Sequence, residues 1–252
     1  MREMMRSMEE IYGRLNELLI SGGRDDIEHF LSGCMDTAKE EGAYGIYLAV
    51  GNELLCFYRE TERFDRAFSL AEDLLLLMEE FHLEESESFA CVMINTAAAY
   101  NGAGLVSEAL QFYRRAVLIL EQKKEERWLL ARVLTEMALT MMKTEEADGA
   151  EAHLERAVRL FEEAAERGDA PEKEAEIYYV TALTGLGEAA WKKGENAKAL
   201  AYYEKAAETG CGGDGPGNEI LRENCAILAG LLGDKEKEKY HRSLQKHEED
   251  KT

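Results

Sequence analysis

The sequence predicts an all-α protein, an α-solenoid of stacked antiparallel helical hairpins. Three observations carry this. Proline occurs only twice in 252 residues, so little interrupts helix propagation. Apolar residues fall at three- and four-residue steps through most of the chain, the period of helices with one buried stripe. A grammar of small and aromatic residues also recurs. In its clearest form Ala97 and Tyr100 precede the break Asn101-Gly102-Ala103-Gly104, and Ala109, Tyr113 and Ala116 follow it. The alanines let two helix backbones approach, and the tyrosines fill the space beside the crossing.

Taken in order, Met4, Met8, Ile11, Leu15, Leu18 and Leu19 form one stripe and predict a helix over 3–20, stopped by Ser21-Gly22-Gly23. A second helix starts at Asp25 and Asp26, whose charge suits the positive end of a helix, and ends near Gly42. Residues 1–42 therefore read as an N-terminal capping hairpin or degenerate repeat. An array of hairpins over 43–209 follows, with helices at 43–61 and 64–81, a central pair over 86–123, a third over 126–167 and a fourth at 172–193 and 196–208. Gly168-Asp169-Ala170-Pro171 marks a break, because proline is tolerated in a helix's first turn and not in its interior. Residues 210–218 read as a Gly-rich loop. Over 219–252 a last pair grows steadily more polar, as degenerate or capping helices at the end of an array should.

Composition narrows the function. Asp and Glu number 51 against 30 Lys and Arg, a formal charge of −21. Such an excess repels phosphate backbones and anionic lipid, so neither nucleic acid nor a membrane is an expected partner. The five cysteines form no CxxC and no zinc spacing, which fits a reduced compartment. Glu9, Glu10, Arg14 and Glu17 interrupt any secretory core, and no apolar run approaches a membrane span, so the expected location is cytoplasmic.

The alanines Ala67, Ala109, Ala150 and Ala199 recur at steps of 42, 41 and 49 residues. With Leu186, Gly187, Gly194, Tyr203 and Ala206 in the fourth pair, and Ala97, Tyr100, Gly104, Tyr113 and Ala116 in the central one, they resemble tetratricopeptide (TPR) repeats in a long-repeat variant. The resemblance covers 43–209 well and the end pairs loosely. Glu62 and Glu145 stand where the family usually has a turn glycine, and Ala190 replaces a first-helix tyrosine. The resemblance implies a right-handed α-solenoid, a superhelix whose concave face is lined by the first helix of each hairpin and holds a peptide or partner segment.

On that face the sequence offers Asn52, Arg59, Asn95, Asn101, Arg132, Lys143, Thr181 and Lys192. Asparagine is a poor helix former, but its amide donates and accepts at once, as a clamp on a peptide backbone must. Asn52 and Asn95 fall one repeat apart and share such a role; Asn101, beside a helix end, leans towards a cap. The family's clamp for chaperone tails needs basic residues where this chain has Asn52 and Glu136, so that subtype is disfavoured.

Enzymatic readings lack a constellation. His29, His82, His153, His241 and His247 show no metal-ligand spacing, and 210–217 lacks the GK[ST] ending of a phosphate loop. No cofactor, metal or small-molecule substrate is expected. The expected function is a non-enzymatic scaffold or adaptor; the alternative is a peptide-responsive regulator similar to bacterial Rap-type proteins, with 1–42 as its effector arm.

Overall fold

The computed structural model describes residues 7–123, 127–144, 149–168, 171–209 and 216–249. Among them are twelve helices and no strand. Two compact units divide the chain, residues 1–119 and 120–252.

The first unit holds α1 (Met8–Ser21), α2 (Arg24–Glu40), α3 (Tyr44–Glu60), α4 (Phe64–Glu80), α5 (Glu87–Gly102) and most of α6 (Val106–Glu121). Each of α1 to α4 packs on its successor, and α3 also packs on α5 across the intervening helix. This is the hairpin stacking of an α-solenoid. Ser7 and Ser86 cap α1 and α5 by accepting from Glu10 N–H at 3.3 Å and Phe89 N–H at 3.1 Å. Asp25 and Asp26 do lie in the first turn of α2. Gly51 lets α4 come close to α3, since a Cβ there would stand 2.6 Å from Leu74. Four rings, Phe64, Phe68, Tyr100 and Phe112, stack nearly parallel at centroid distances of 6.5, 4.2 and 5.3 Å and tie α4, α5 and α6 together.

The second unit holds α7 (Arg127–Met141), α8 (Ala150–Arg167), α9 (Glu172–Lys192), α10 (Asn196–Thr209), α11 (Pro216–Leu231) and α12 (Lys235–Glu249). Its hairpins repeat the pattern, with α7 packed on α9. The repeating alanines do mark the tight crossings: Ala67, Ala109 and Ala199 are fully buried and Ala150 nearly so. Gly187 has the same use, for a Cβ there would stand 2.7 Å from the Tyr203 ring.

One expectation is corrected. The segment 210–218 is not loop throughout: Pro216, Gly217 and Asn218 open α11, proline being suited to a first helical position, while 210–215 lie outside the described residues. In the last pair α11 keeps exposed Ile220, Ile227 and Leu231, and most of α12 is charged or polar. Glu145 and the start of the first predicted helix, with Met4, lie outside the described residues.

The turns explain how glycine can be missing from some repeats. After α3, α5, α9 and α11 the chain closes a Schellman turn, with Arg63 N–H to Tyr58 C=O, Leu105 to Tyr100, Glu195 to Ala190 and Asp234 to Ala229, at 2.8 to 3.0 Å. The left-handed residue is Gly104, Gly194 or Gly233 in three of these and Glu62, at φ 59°, in the fourth. A side chain in that region costs about 1–2 kcal/mol, part of which glycine loses again to unfolded-state entropy. Glu62→Gly should therefore stabilise the protein by about 0.5–1 kcal/mol, read as a raised Tm in thermal circular dichroism.

Candidate functional site

In the first unit the polar first-helix residues meet. Asn52 and Arg59 lie two turns apart on one face of α3, and Asn95 comes to them from α5. Asn95 Nδ2 donates to Asn52 Oδ1 at 2.9 Å, and Arg59 Nη1 donates to Asn95 Oδ1 at 3.4 Å. Arg59 also pairs with Glu60 at 3.1 Å. The sequence places Asn95 off the packing face, but the structure buries it to 4% exposure. Its amide sits between two helices, where a polar group must be hydrogen-bonded. Asn52 and Arg59 remain half-buried at the edge of the same cluster. Asn101 belongs to the turn, where its carbonyl accepts from Gly104 N–H at 3.1 Å.

Beside this cluster Tyr12 of α1 donates to Glu53 of α3 at 3.1 Å. Burial and the Glu53 carboxylate together push the Tyr12 hydroxyl up to about 12, so it stays a donor. The first hairpin thus reaches the same row of first helices.

In the second unit Arg132 is enclosed. It reaches Glu136 and Glu174 at 3.1 Å each, and its guanidinium lies 5.0 Å from the Tyr178 ring centre. Burial opposes its charge, but Glu136, Tyr178 and Glu174 outweigh that and hold it firmly protonated. Thr181 turns its hydroxyl back to the Ile177 carbonyl at 2.7 Å, while Lys143 and Lys192 lie exposed near helix ends. A cleft of about 650 Å³ opens between the ends of α8 and α10 and the start of α9, with Phe161, Tyr179, Glu162 and Glu176 among its walls.

Sequence reasoning missed a ladder of ion pairs along the second helices. Glu28 of α2 takes Arg63 and Arg66; Glu79 of α4 takes Arg115 of α6 at 3.6 Å. Glu121 of α6 takes Arg156 of α8 at 2.7 Å, Glu151 and Glu162 of α8 each take a lysine of α10 at 2.7 Å, and Glu204 of α10 takes Lys237 of α12 at 2.8 Å. In each pair the acid comes from the earlier hairpin and the base from the later one. The signal was present as acids and bases separated by about one repeat, visible only once the register of the second helices is known.

Among the described residues no group of three or more His, Cys, Asp or Glu is placed to hold a metal ion. Cys34 and Cys225 are free thiols, and burial pushes Cys225 up to about 12, which keeps it unreactive. No described helix is long and apolar enough to cross a membrane.

Residues 55–224 match the family described as "Uncharacterized protein conserved in bacteria (DUF2225)". The chain belongs to this family. No match is found among curated proteins. Several solved structures resemble this DUF2225 member. BtubC (BKLC) from P. vanneervenii is 16% identical with a TM-score of 0.76, over 90% of this chain and 91% of that one. The quorum sensor NprR from B. thuringiensis, in its apo form, is 15% identical with a TM-score of 0.63. The match covers 93% of this chain but only 62% of NprR. YrrB, titled a TPR protein with an unusual peptide-binding site, is 15% identical with a TM-score of 0.50, over 78% and 83% of the two chains. The DUF2225 chain has the TPR-like fold.

The ladder makes stability depend on acid. The lysines bound to Glu151 and Glu162 hold both carboxyl groups below the ordinary range; at Glu28 burial works the other way, but Tyr58, Arg63 and Arg66 outweigh it. A carboxylate depressed in the folded state contributes fully above its unfolded value and loses that contribution as pH falls through the folded one. Tm should hold near neutrality and drop below about pH 4.5. Glu28→Gln should lower Tm at pH 7 and reduce the loss on acidification, measured by melting across a pH series.

Proposed function

We propose that this DUF2225 protein is a non-enzymatic interaction module of the cytoplasm that takes a peptide or a segment of a partner protein along the first-helix row of its first unit. The observation that carries the proposal is the hydrogen-bonded pair Asn52 and Asn95, braced by Arg59. Because Asn52 Oδ1 accepts from Asn95, the orientation of the Asn52 amide is set before a ligand arrives, and its Nδ2 donors are not used in that pair. Such preorganisation lowers the entropic cost of holding a ligand carbonyl. Asn101, Arg132, Lys143, Thr181 and Lys192 are secondary in this reading; Arg132 holds its own helices together. YrrB and NprR lend the general idea support as proteins of similar fold, the one with an unusual peptide-binding site and the other a quorum sensor.

The rival reading makes residues 1–42 the effector arm of a peptide-responsive regulator. Tyr12 to Glu53, and Glu28 to Arg63 and Arg66, tie α1 and α2 to the hairpin that follows. These ties favour a cap. The test is co-purification from the native host with mass spectrometry. Asn52→Ala combined with Asn95→Ala should reduce partner capture by about tenfold, the worth of one to two hydrogen bonds, with helicity retained in circular dichroism. Undiminished capture by the helical double variant would remove the row from the proposal.

A further inference from the structure

The last hairpin presents a surface unlike the polar cluster of the first unit. α11 buries Leu221, Cys225 and Leu228, yet Ile220, Ile227 and Leu231 are 61%, 38% and 62% exposed. Spaced seven and four residues apart, these three fall on one stripe roughly 16 Å long, parallel to the helix axis. Their place in the fold follows from the turns. Gly194 and Gly233 hold equivalent left-handed positions after α9 and α11. Counting back from them aligns Ile220, Ile227 and Leu231 with Thr181, Glu188 and Lys192. A face that is polar on α9 is therefore aliphatic on α11. Glu219 and Glu223, both exposed, run along one edge of the stripe.

We propose that this stripe docks an amphipathic helix of a partner protein, one whose apolar face is flanked by lysine or arginine. A straight aliphatic line on a helix is covered best by another helix laid along it, whose own side chains recur at three and four residues. An extended peptide crossing α11 would cover one of the three positions and leave the others wet. Glu219 and Glu223 set the sign of the flank, and the chain's net charge of −21 steers a basic segment inward while it repels an acidic one or a second copy of this chain.

The experiment uses the full-length protein and three fluorescent helical peptides read by anisotropy: a leucine stripe with lysine flanks, the same composition scrambled to break the stripe, and the same stripe with glutamate flanks. The lysine-flanked stripe should bind, with the other two at least about tenfold weaker. Ile220→Asp combined with Leu231→Asp should weaken that binding by about tenfold or more without changing the thermal melt, since both side chains are mostly exposed. The double asparagine variant should bind as the wild type does, which separates this surface from the first-helix row of the first unit. Equal binding of the scrambled peptide, or binding that survives the two aspartates, would overturn the proposal. So would a dimer in sedimentation that the two aspartates abolish, because a second copy would then be the occupant.

Discussion

No hairpin in this chain can bury its own apolar surface. Two helices cover each other along one line, and each retains a second face that stays wet until the next hairpin arrives. Every buried leucine or tyrosine contributes roughly 2 kcal/mol of transfer, but much of that gain is realised at the junctions between hairpins. α3 meets α5 and α7 meets α9, both across an intervening helix. The small residues are a condition of this arrangement: Gly51 and Gly187 sit where any larger side chain would strike Leu74 or Tyr203. The aromatic stack from Phe64 to Phe112 performs the complementary task of filling the wider space between successive hairpins.

Much of this was legible in the sequence because it depends on side-chain size and spacing. Helix existence, the hairpin pairing and the alanine crossings all follow from the 3.6-residue period and the recurrence of small residues. The end of the Gly-rich segment was misread because glycine and proline signal loops in general, whereas Pro216 occupies a first helical turn. The candidate site was legible in part. The distance of one repeat between Asn52 and Asn95 brought out their relation, but their direct hydrogen bond and the burial of Asn95 depend on how α3 and α5 are rotated about their axes, which periodicity leaves open. The enclosure of Arg132 by Glu174 and Tyr178 is likewise a tertiary fact, joining residues some forty positions apart.

The two kinds of polar group have different energetic characters. The amide cluster of Asn52 and Asn95 is short-range and partly buried, so its strength depends on geometry. The ion pairs of the second helices lie nearer the surface, where such pairs are individually weak. Their consistency is more informative than their strength. Along the second helices the acid of each named pair precedes and the base follows, whereas between the first helices α7 and α9 the order is reversed, Arg132 before Glu174.

That fixed order has a consequence for how such a chain can grow or shrink. A hairpin excised from one position and inserted at another would still offer a base to the neighbour before it and an acid to the neighbour after it. Duplication or loss of whole internal hairpins therefore keeps the sign order along the second helices, whereas a cut made within a hairpin does not. Tandem copying thus has an order of charge to keep, and a copy that respects the repeat keeps it.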